Sequence, residues 1–93
     1  MDVVRIGVVG CGNISGIYFE NLARFRGARV VSCADLDAAR ARAAAERHGV
    51  RCAESVEAIL ADPDVDLILN LTVPKAHAPV SLAAVRAGKH AYA

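Results

Sequence analysis

VVRIGVVGCGNISG, from Val3 to Gly16, decides the reading of this chain. A short β-branched run leads into Gly-Cys-Gly and then into the start of a helical pattern. A buried strand that turns on glycines into a helix offers free backbone N–H groups at the positive end of the helix dipole, and this suits a phosphate. Gly10 permits the tight turn, and Gly12 lets backbone approach a pyrophosphate with no Cβ between them. The third place of the G-x-G-x-x-G pattern is Ser15, with Gly16 one residue late; serine is small enough for close helix–strand packing. The amides of Asn13 and Ile14 complete the expected cradle. An ordinary tight turn would read the same way, so the context has to carry the inference.

That context is a repeated alternation of strand and helix. Ile14, Tyr18, Leu22 and Phe25 recur at helical spacing over 13–26, and Gly27 follows as a stop. RVVSCA, from Arg29 to Ala34, is a second strand ending on Asp35. Asp37 caps an alanine-rich helix closed by Gly49. Val50 to Ala53 is a brief third strand, and Ser55 caps a short helix ended by Asp62-Pro63. Val65 to Leu71 is the fourth strand, broken by Pro74. A helix from about Ala78 to Ala87 follows, with Pro79 in its first turn and Gly88 at its end, and a fifth strand begins at His90. Strands and helices at this spacing predict an α/β, Rossmann-type parallel sheet in the order 3-2-1-4-5, with helices on both faces.

Composition agrees. Apolar residues make up 55% of the 93 residues with no Trp, giving a core of Ala, Val, Leu and Ile in one small domain. A chain of this size buries roughly two thirds of its unfolded surface, so its stability margin is thin. The net charge of +1 leaves no basic stripe for nucleic acid. No apolar run approaches the about 20 residues that cross a bilayer, and Met1-Asp2 followed by a strand-like run containing Arg5 does not read as a signal peptide. Cys11, Cys33 and Cys52 are odd in number and lack C-x-x-C spacing, which reads as reduced thiols in a cytoplasmic protein rather than a disulfide framework or a metal site. Cys11 itself reads as a small space-filling residue of the turn.

Asp35 lies 23 residues after Gly12 (35 minus 12), where a βαβ nucleotide fold places the acid that accepts hydrogen bonds from the adenosine ribose. A 2′-phosphate there would meet repulsion of about 4 kcal/mol per charge pair at an effective dielectric near 20, and no Arg or Lys immediately follows to offset it. NAD is therefore expected in preference to NADP. A solvated loop acid is the plainer reading of Asp35, and a helix cap that of Asp37. Thr72, Val73 and Pro74 sit where the fourth strand opens into the crevice, with His77 close behind; a proline-broken strand end and a surface histidine are the plainer readings. Lys75 reads as a solvated charge, and Lys89 with His90 as a cationic pair at a helix end.

With IGVVGCGNIS, CADLD and LTVPKAHAPVSLAAVRAGKH in hand, the chain resembles the amino-terminal part of the Gfo/Idh/MocA oxidoreductases over nearly all of its length. Thr-x-Pro at a strand end, a nearby histidine, an alanine-rich helix and Gly88-Lys89-His90 are the specific elements. The resemblance implies a Rossmann domain, residues 1–93 here, followed in the family by a larger substrate domain. It implies hydride transfer between NAD(P) and a secondary alcohol of a sugar, cyclitol or related polyol. It also implies cofactor contacts from Gly10, Gly12, Asn13, Ile14, Asp35, Thr72, Pro74 and His77. The family's catalytic lysine belongs to a Glu-Lys-Pro motif a few residues beyond Gly-Lys-His, so Lys89 does not take that role. The 93 residues are expected to bind the dinucleotide weakly and without turnover, and a last strand left at a sheet edge invites self-association. A stand-alone nucleotide sensor or regulatory module, or a Rossmann enzyme of another class, remains an alternative reading.

Overall fold

A computed structural model describes residues 3–12, 15–22, 24 and 26–92. The chain runs β1 (Val4–Val9), α1 (Ser15–Leu22), β2 (Ala28–Ala34), α2 (Ala38–His48), β3 (Arg51–Cys52), α3 (Val56–Ala61), β4 (Leu67–Asn70), α4 (Pro74–Arg86) and β5 (His90–Tyr92). All pairings are parallel and the order is β3-β2-β1-β4-β5, as expected from the alternation. None of the helices described is long and apolar enough to cross a membrane.

The two faces of the sheet carry separate cores. Ile6, Val8, Cys33 and Leu69 pack with Phe19 of α1 and Ala44 and Ala45 of α2. Val9, Ala34 and Ile68 pack on the other side with Val56 and Ile59 of α3 and Ala84 of α4. Val8, Val9 and Ile68 are fully buried, which accounts for the near-continuous apolar reading of β1 and β4. Small alanines on α2 let that helix lie close to β2. Phe19 stacks flat on His48, with ring centroids 4.3 Å apart, and ties the end of α2 to α1.

Local chemistry sets most of the boundaries. Asp37 accepts hydrogen bonds from the amides of Ala39 and Arg40 at the start of α2, and Gly49 closes that helix at φ 67°. The Ser55 hydroxyl accepts from the amide of Ala58 at the start of α3. Two elements differ from the sequence reading. Helix α1 ends at Leu22 rather than continuing to Arg26: the chain turns with Arg24 N–H donating to Asn21 O, and by Gly27 it already accepts from Val4 N–H at the edge of the sheet. Phe25 lies outside the described residues. Helix α4 begins at Pro74, not near Ala78, which places Pro79 inside the helix. Proline at the first helical position loses nothing, since its N–H would be unpaired there. Pro79, a turn further on, forfeits one intrahelical bond.

Two long-range polar links hold the amino-terminal edge of the sheet. Arg5 and Asp66 form a forked pair, Nε to Oδ2 at 3.1 Å and Nη2 to Oδ1 at 3.1 Å, and the Arg5 amide also donates to Oδ2 at 2.9 Å. These hydrogen bonds hold the Asp66 carboxyl below its ordinary value. What the pair contributes is therefore present at neutral pH and is lost as the pH falls through that lowered range. The second link is Lys89, whose ammonium donates to the carbonyls of Asp62 at 2.6 Å and Val65 at 2.7 Å. Lys89 is thus a bolt between the α3–β4 loop and the start of β5, not one of a cationic pair at a helix end. Lys89→Met keeps the aliphatic stem and removes both bonds. It is expected to lower stability by about 2 kcal/mol, as for charged hydrogen bonds to part-buried carbonyls. Urea unfolding followed by circular dichroism reads the loss.

Candidate functional site

The carboxyl ends of β1 and β4 part company at the middle of the sheet, because β1 continues to α1 on one face and β4 to α4 on the other. Ligand crevices of open α/β sheets form at this place. A cleft of about 490 Å³ opens there, bordered by Gly10, Gly12, Asp35, Thr72, Val73 and Val80 among others.

The two glycines of the turn have different work. Gly10 has φ 101°, and a Cβ built on it would stand 2.7 Å from the Leu71 carbonyl carbon and oxygen. Its own amide donates to Ala34 O at 2.9 Å, so Gly10 shapes the turn and is not a donor to a ligand. A Cβ on Gly12 would meet nothing within 4 Å. That side of Gly12 faces open space at the rim of the cleft, where a ligand can come against the backbone. Asn13 and Ile14 lie outside the described residues.

Asp35 sits just past the end of β2 and bridges two turns. Its Oδ2 accepts from the Cys11 amide at 2.6 Å and its Oδ1 from the Asp37 amide at 2.7 Å. The carboxylate is thereby fixed in direction while keeping unused acceptor capacity, since its two oxygens together accept about four hydrogen bonds. Arg40, on the first turn of α2, borders the same cleft and faces Asp37 at 3.8 Å. The sequence reading looked for a cation immediately after Asp35 and missed this one, which the helix brings round.

Opposite Asp35, Thr72 and Val73 line the cleft and Pro74 opens α4. His77 is half-buried on α4 and does not border the described cleft; its backbone carbonyl accepts from Asn70. Asn70, unmarked in the sequence reading, organises this wall. It is 1% exposed. Its Nδ2 donates to His77 O at 2.7 Å and to Ser81 Oγ at 2.8 Å, and its Oδ1 accepts from the Thr72 amide at 3.2 Å and the Thr72 hydroxyl at 2.5 Å. The only signal in the sequence was a polar residue within the otherwise apolar run LILNL.

Cys11 and Cys33 lie beneath the turn, both buried; the Cys11 thiol donates to the Ala34 carbonyl at 3.5 Å and the Cys33 thiol to the Ala41 carbonyl at 3.4 Å. The influence of Cys33, then burial and the Asp35 charge, push the Cys11 thiol up, and the influence of Cys11 draws the Cys33 thiol down. Among the described residues no group of three or more His, Cys, Asp or Glu side chains could hold a metal ion.

The arrangement suits a dinucleotide: an open backbone face at Gly12 for a diphosphate, an oriented carboxylate for ribose hydroxyls, and a cleft between them. Comparison with known proteins agrees. The family model GFO_IDH_MocA, "Oxidoreductase family, NAD-binding Rossmann fold", matches residues 4–92. The chain is 37% identical over 87 residues to 1,5-anhydro-D-fructose reductase of Ensifer adhaerens, covering 92% of this chain and 26% of that protein. It superposes on biliverdin reductase of Synechocystis sp. PCC 6803, solved with biliverdin and NADP+, with TM-score 0.87 and 34% identity, over 95% of this chain and 28% of that one. It also superposes on the WlbA dehydrogenase of Bordetella pertussis, solved with NADH and UDP-GlcNAcA, with TM-score 0.89 and 28% identity, over 96% and 27% of the two chains. The chain therefore spans about a quarter of the length of these relatives. With its five-stranded sheet, its glycine turn and its acid at the end of β2, it belongs to the Gfo/Idh/MocA oxidoreductase family, as an NAD-binding Rossmann fold.

Proposed function

We propose that residues 1–93 are the amino-terminal dinucleotide-binding domain of an oxidoreductase that moves hydride between a nicotinamide cofactor and a secondary alcohol of a sugar, cyclitol or related polyol. The observation that carries this reading is the open face of Gly12 at the rim of a cleft that Asp35 also borders. Gly12 and the amides of Asn13 and Ile14 would hold the diphosphate, with Gly10 setting the turn. Asp35 would accept from the adenosine ribose. Thr72 and Pro74 would border the path to the nicotinamide, with His77 behind them. The bound cofactor would supply the hydride acceptor or donor. The residues of this chain bind and orient it, and turnover requires a proton-transferring group that a substrate domain would bring. A cytoplasmic location belongs to the same reading.

The preference is for NAD. A 2′-phosphate would stand beside the Asp35 carboxylate, and the nearby Arg40 already faces Asp37. Titration by calorimetry tests this on the wild type, Asp35→Ala and Gly12→Val. The wild type is expected to bind NAD at least tenfold more tightly than NADP. Asp35→Ala should weaken NAD and narrow the ratio between the two, and Gly12→Val should remove binding while keeping the wild-type unfolding midpoint. Equal wild-type affinities would overturn the NAD preference; no binding of either would overturn the cofactor reading. Oxidation of a polyol by these 93 residues alone would contradict the division of labour.

The reading extends to association. β5 is an edge strand, and Tyr92 on it and Leu82 and Val85 on α4 are exposed apolar residues. We expect the chain to pair through this edge as its concentration rises. Sedimentation equilibrium measures this, and a β5 substitution such as Ala91→Pro should shift the chain to monomer. A wild type that stays monomeric at millimolar concentration refutes it.

A further inference from the structure

A second groove opens at the other end of the sheet, where β1, β2 and β3 begin. It has a volume of about 670 Å³ and lies between the carboxyl ends of α1 and α2. Much of its lining is apolar. Leu22, Ala28, Val30 and Val50 are partly buried against the core on this face, and Val3 beside them is 42% exposed. Arg26, Arg47, His48 and Glu20 border the same space. Arg29 borders it too, but its strand neighbours Ala28 and Val30 both face the core beneath α1 and α2. Alternation therefore sends the Arg29 side chain to the opposite face of the sheet, and it is not counted among the cations here.

Those cations are uncommitted. Among the described residues no carboxylate pairs with the guanidinium of Arg26 or Arg47, although Glu20 borders the same groove; the ion pairs belong to Arg5, Arg40 and Arg51. The flat stack of His48 on Phe19 covers one face of the imidazole and leaves its edge, with both ring nitrogens, without a partner among the described residues. The dipole of α2 accounts for Arg47 and His48, which lie in its last turn. It does not account for Arg26. That residue follows Leu22, the end of α1, by four positions (26 minus 22), and a helix dipole acts only within its last turn. Nor does a dipole explain the apolar surface left open beside these charges.

We propose that this groove binds a small amphiphilic anion, its apolar body against Leu22, Val30 and Val50 and its carboxylate, phosphate or sulfonate held by Arg26 and Arg47. Charge complementarity carries the choice: two guanidinium groups without partners face one acid, and a planar guanidinium holds such oxyanions through paired hydrogen bonds. The volume lies within the about 300–1,000 Å³ of small-molecule sites, and an apolar lining with a few polar groups is their usual make-up. The site lies at the amino ends of the strands and the cofactor cleft at their carboxyl ends, so this inference does not depend on the dinucleotide reading.

The probe is 8-anilinonaphthalene-1-sulfonate, with N-phenyl-1-naphthylamine, the same body without the sulfonate, as its neutral counterpart. Fluorescence titration should show one equivalent of the sulfonate bound per chain, and the neutral amine at least tenfold more weakly. Amide chemical-shift mapping on the nitrogen-15-labelled chain should place the largest changes at Ala28, Val30, Gly49 and Val50, with Gly10, Gly12 and Asp35 unmoved. The double variant Arg26→Gln, Arg47→Gln changes two exposed side chains. It should keep the wild-type unfolding midpoint and NAD affinity while weakening the sulfonate at least tenfold. Shifts confined to Gly10, Gly12 and Asp35, with the probe displaced by NAD, would place it in the cofactor cleft and overturn the site. Shifts confined to Leu82, Val85 and Tyr92 would place it on the exposed α4–β5 surface, with the same consequence. Equal affinity for the neutral amine, or for the double variant, would overturn anion recognition, and no binding at all would overturn the whole. If the double variant does not fold, the mapping and the comparison of the two probes on the wild type still decide.

Discussion

Gly10→Ala is expected to leave the chain unfolded, or nearly so, at room temperature. The methyl group would stand 2.7 Å from the Leu71 carbonyl carbon and oxygen and 2.9 Å from the Thr72 amide nitrogen. These are backbone atoms, and they cannot swing aside as a side chain would. Leu71 is fixed there by its amide, which donates to Val9 O at 2.8 Å, and Gly10 by its own bond to Ala34 O. The residue also holds φ at 101°, which an L side chain rarely adopts. Strain of about 1–2 kcal/mol from the dihedral and about 1–3 kcal/mol or more from overpacking add together. A domain of this size has roughly 5–14 kcal/mol in total, and in a small core the lower figure applies. Urea unfolding should show the midpoint collapse or disappear. A Gly10→Ala chain as stable as the wild type would mean that β1 and β4 do not approach as described. Gly12→Ala, two residues away in open space, is the internal control and should shift stability by no more than about 0.5 kcal/mol.

Asn70→Leu should have the second-largest effect. The substitution preserves volume approximately but removes four hydrogen bonds at a site 1% exposed. The Thr72 amide and the His77 carbonyl lose these partners inside the protein, at about 1–3 kcal/mol for each group left unsatisfied. A loss of about 3 kcal/mol or more in unfolding free energy is expected. The wall of the cleft should also loosen, because the same asparagine ties the turn at Thr72 to the second turn of α4. NAD affinity measured on the folded fraction should fall even though Asn70 does not border the cleft. If stability falls and affinity does not, the turn is held by other contacts and Asn70 serves the core alone.

How much of this was legible beforehand depends on how far each residue's partner lies along the chain. Asp37, Ser55, Gly49 and Gly88 bound their helices through contacts within a few residues, and each was read correctly from its type and place. The strand order followed from the alternation of elements and the handedness of crossovers. The end of α1 and the start of α4 were misjudged where two local rules competed: apolar spacing ran on past Leu22, and Pro74 looked like a strand breaker when it was also a favoured first residue of a helix.

From the amino-acid order alone came the family, the parallel sheet, the glycine turn and the acid that follows it, because periodicity, capping and turn chemistry act over a single turn or strand. Tertiary structure decided the rest: that Gly10 is needed for the approach of β4, that Asp35 is clamped by the amides of Cys11 and Asp37, and that Lys89 bolts a loop 24 residues away. Hydrogen-bond partners are chosen by distance in space. For residues dozens of positions apart that distance exists only after the strands have paired.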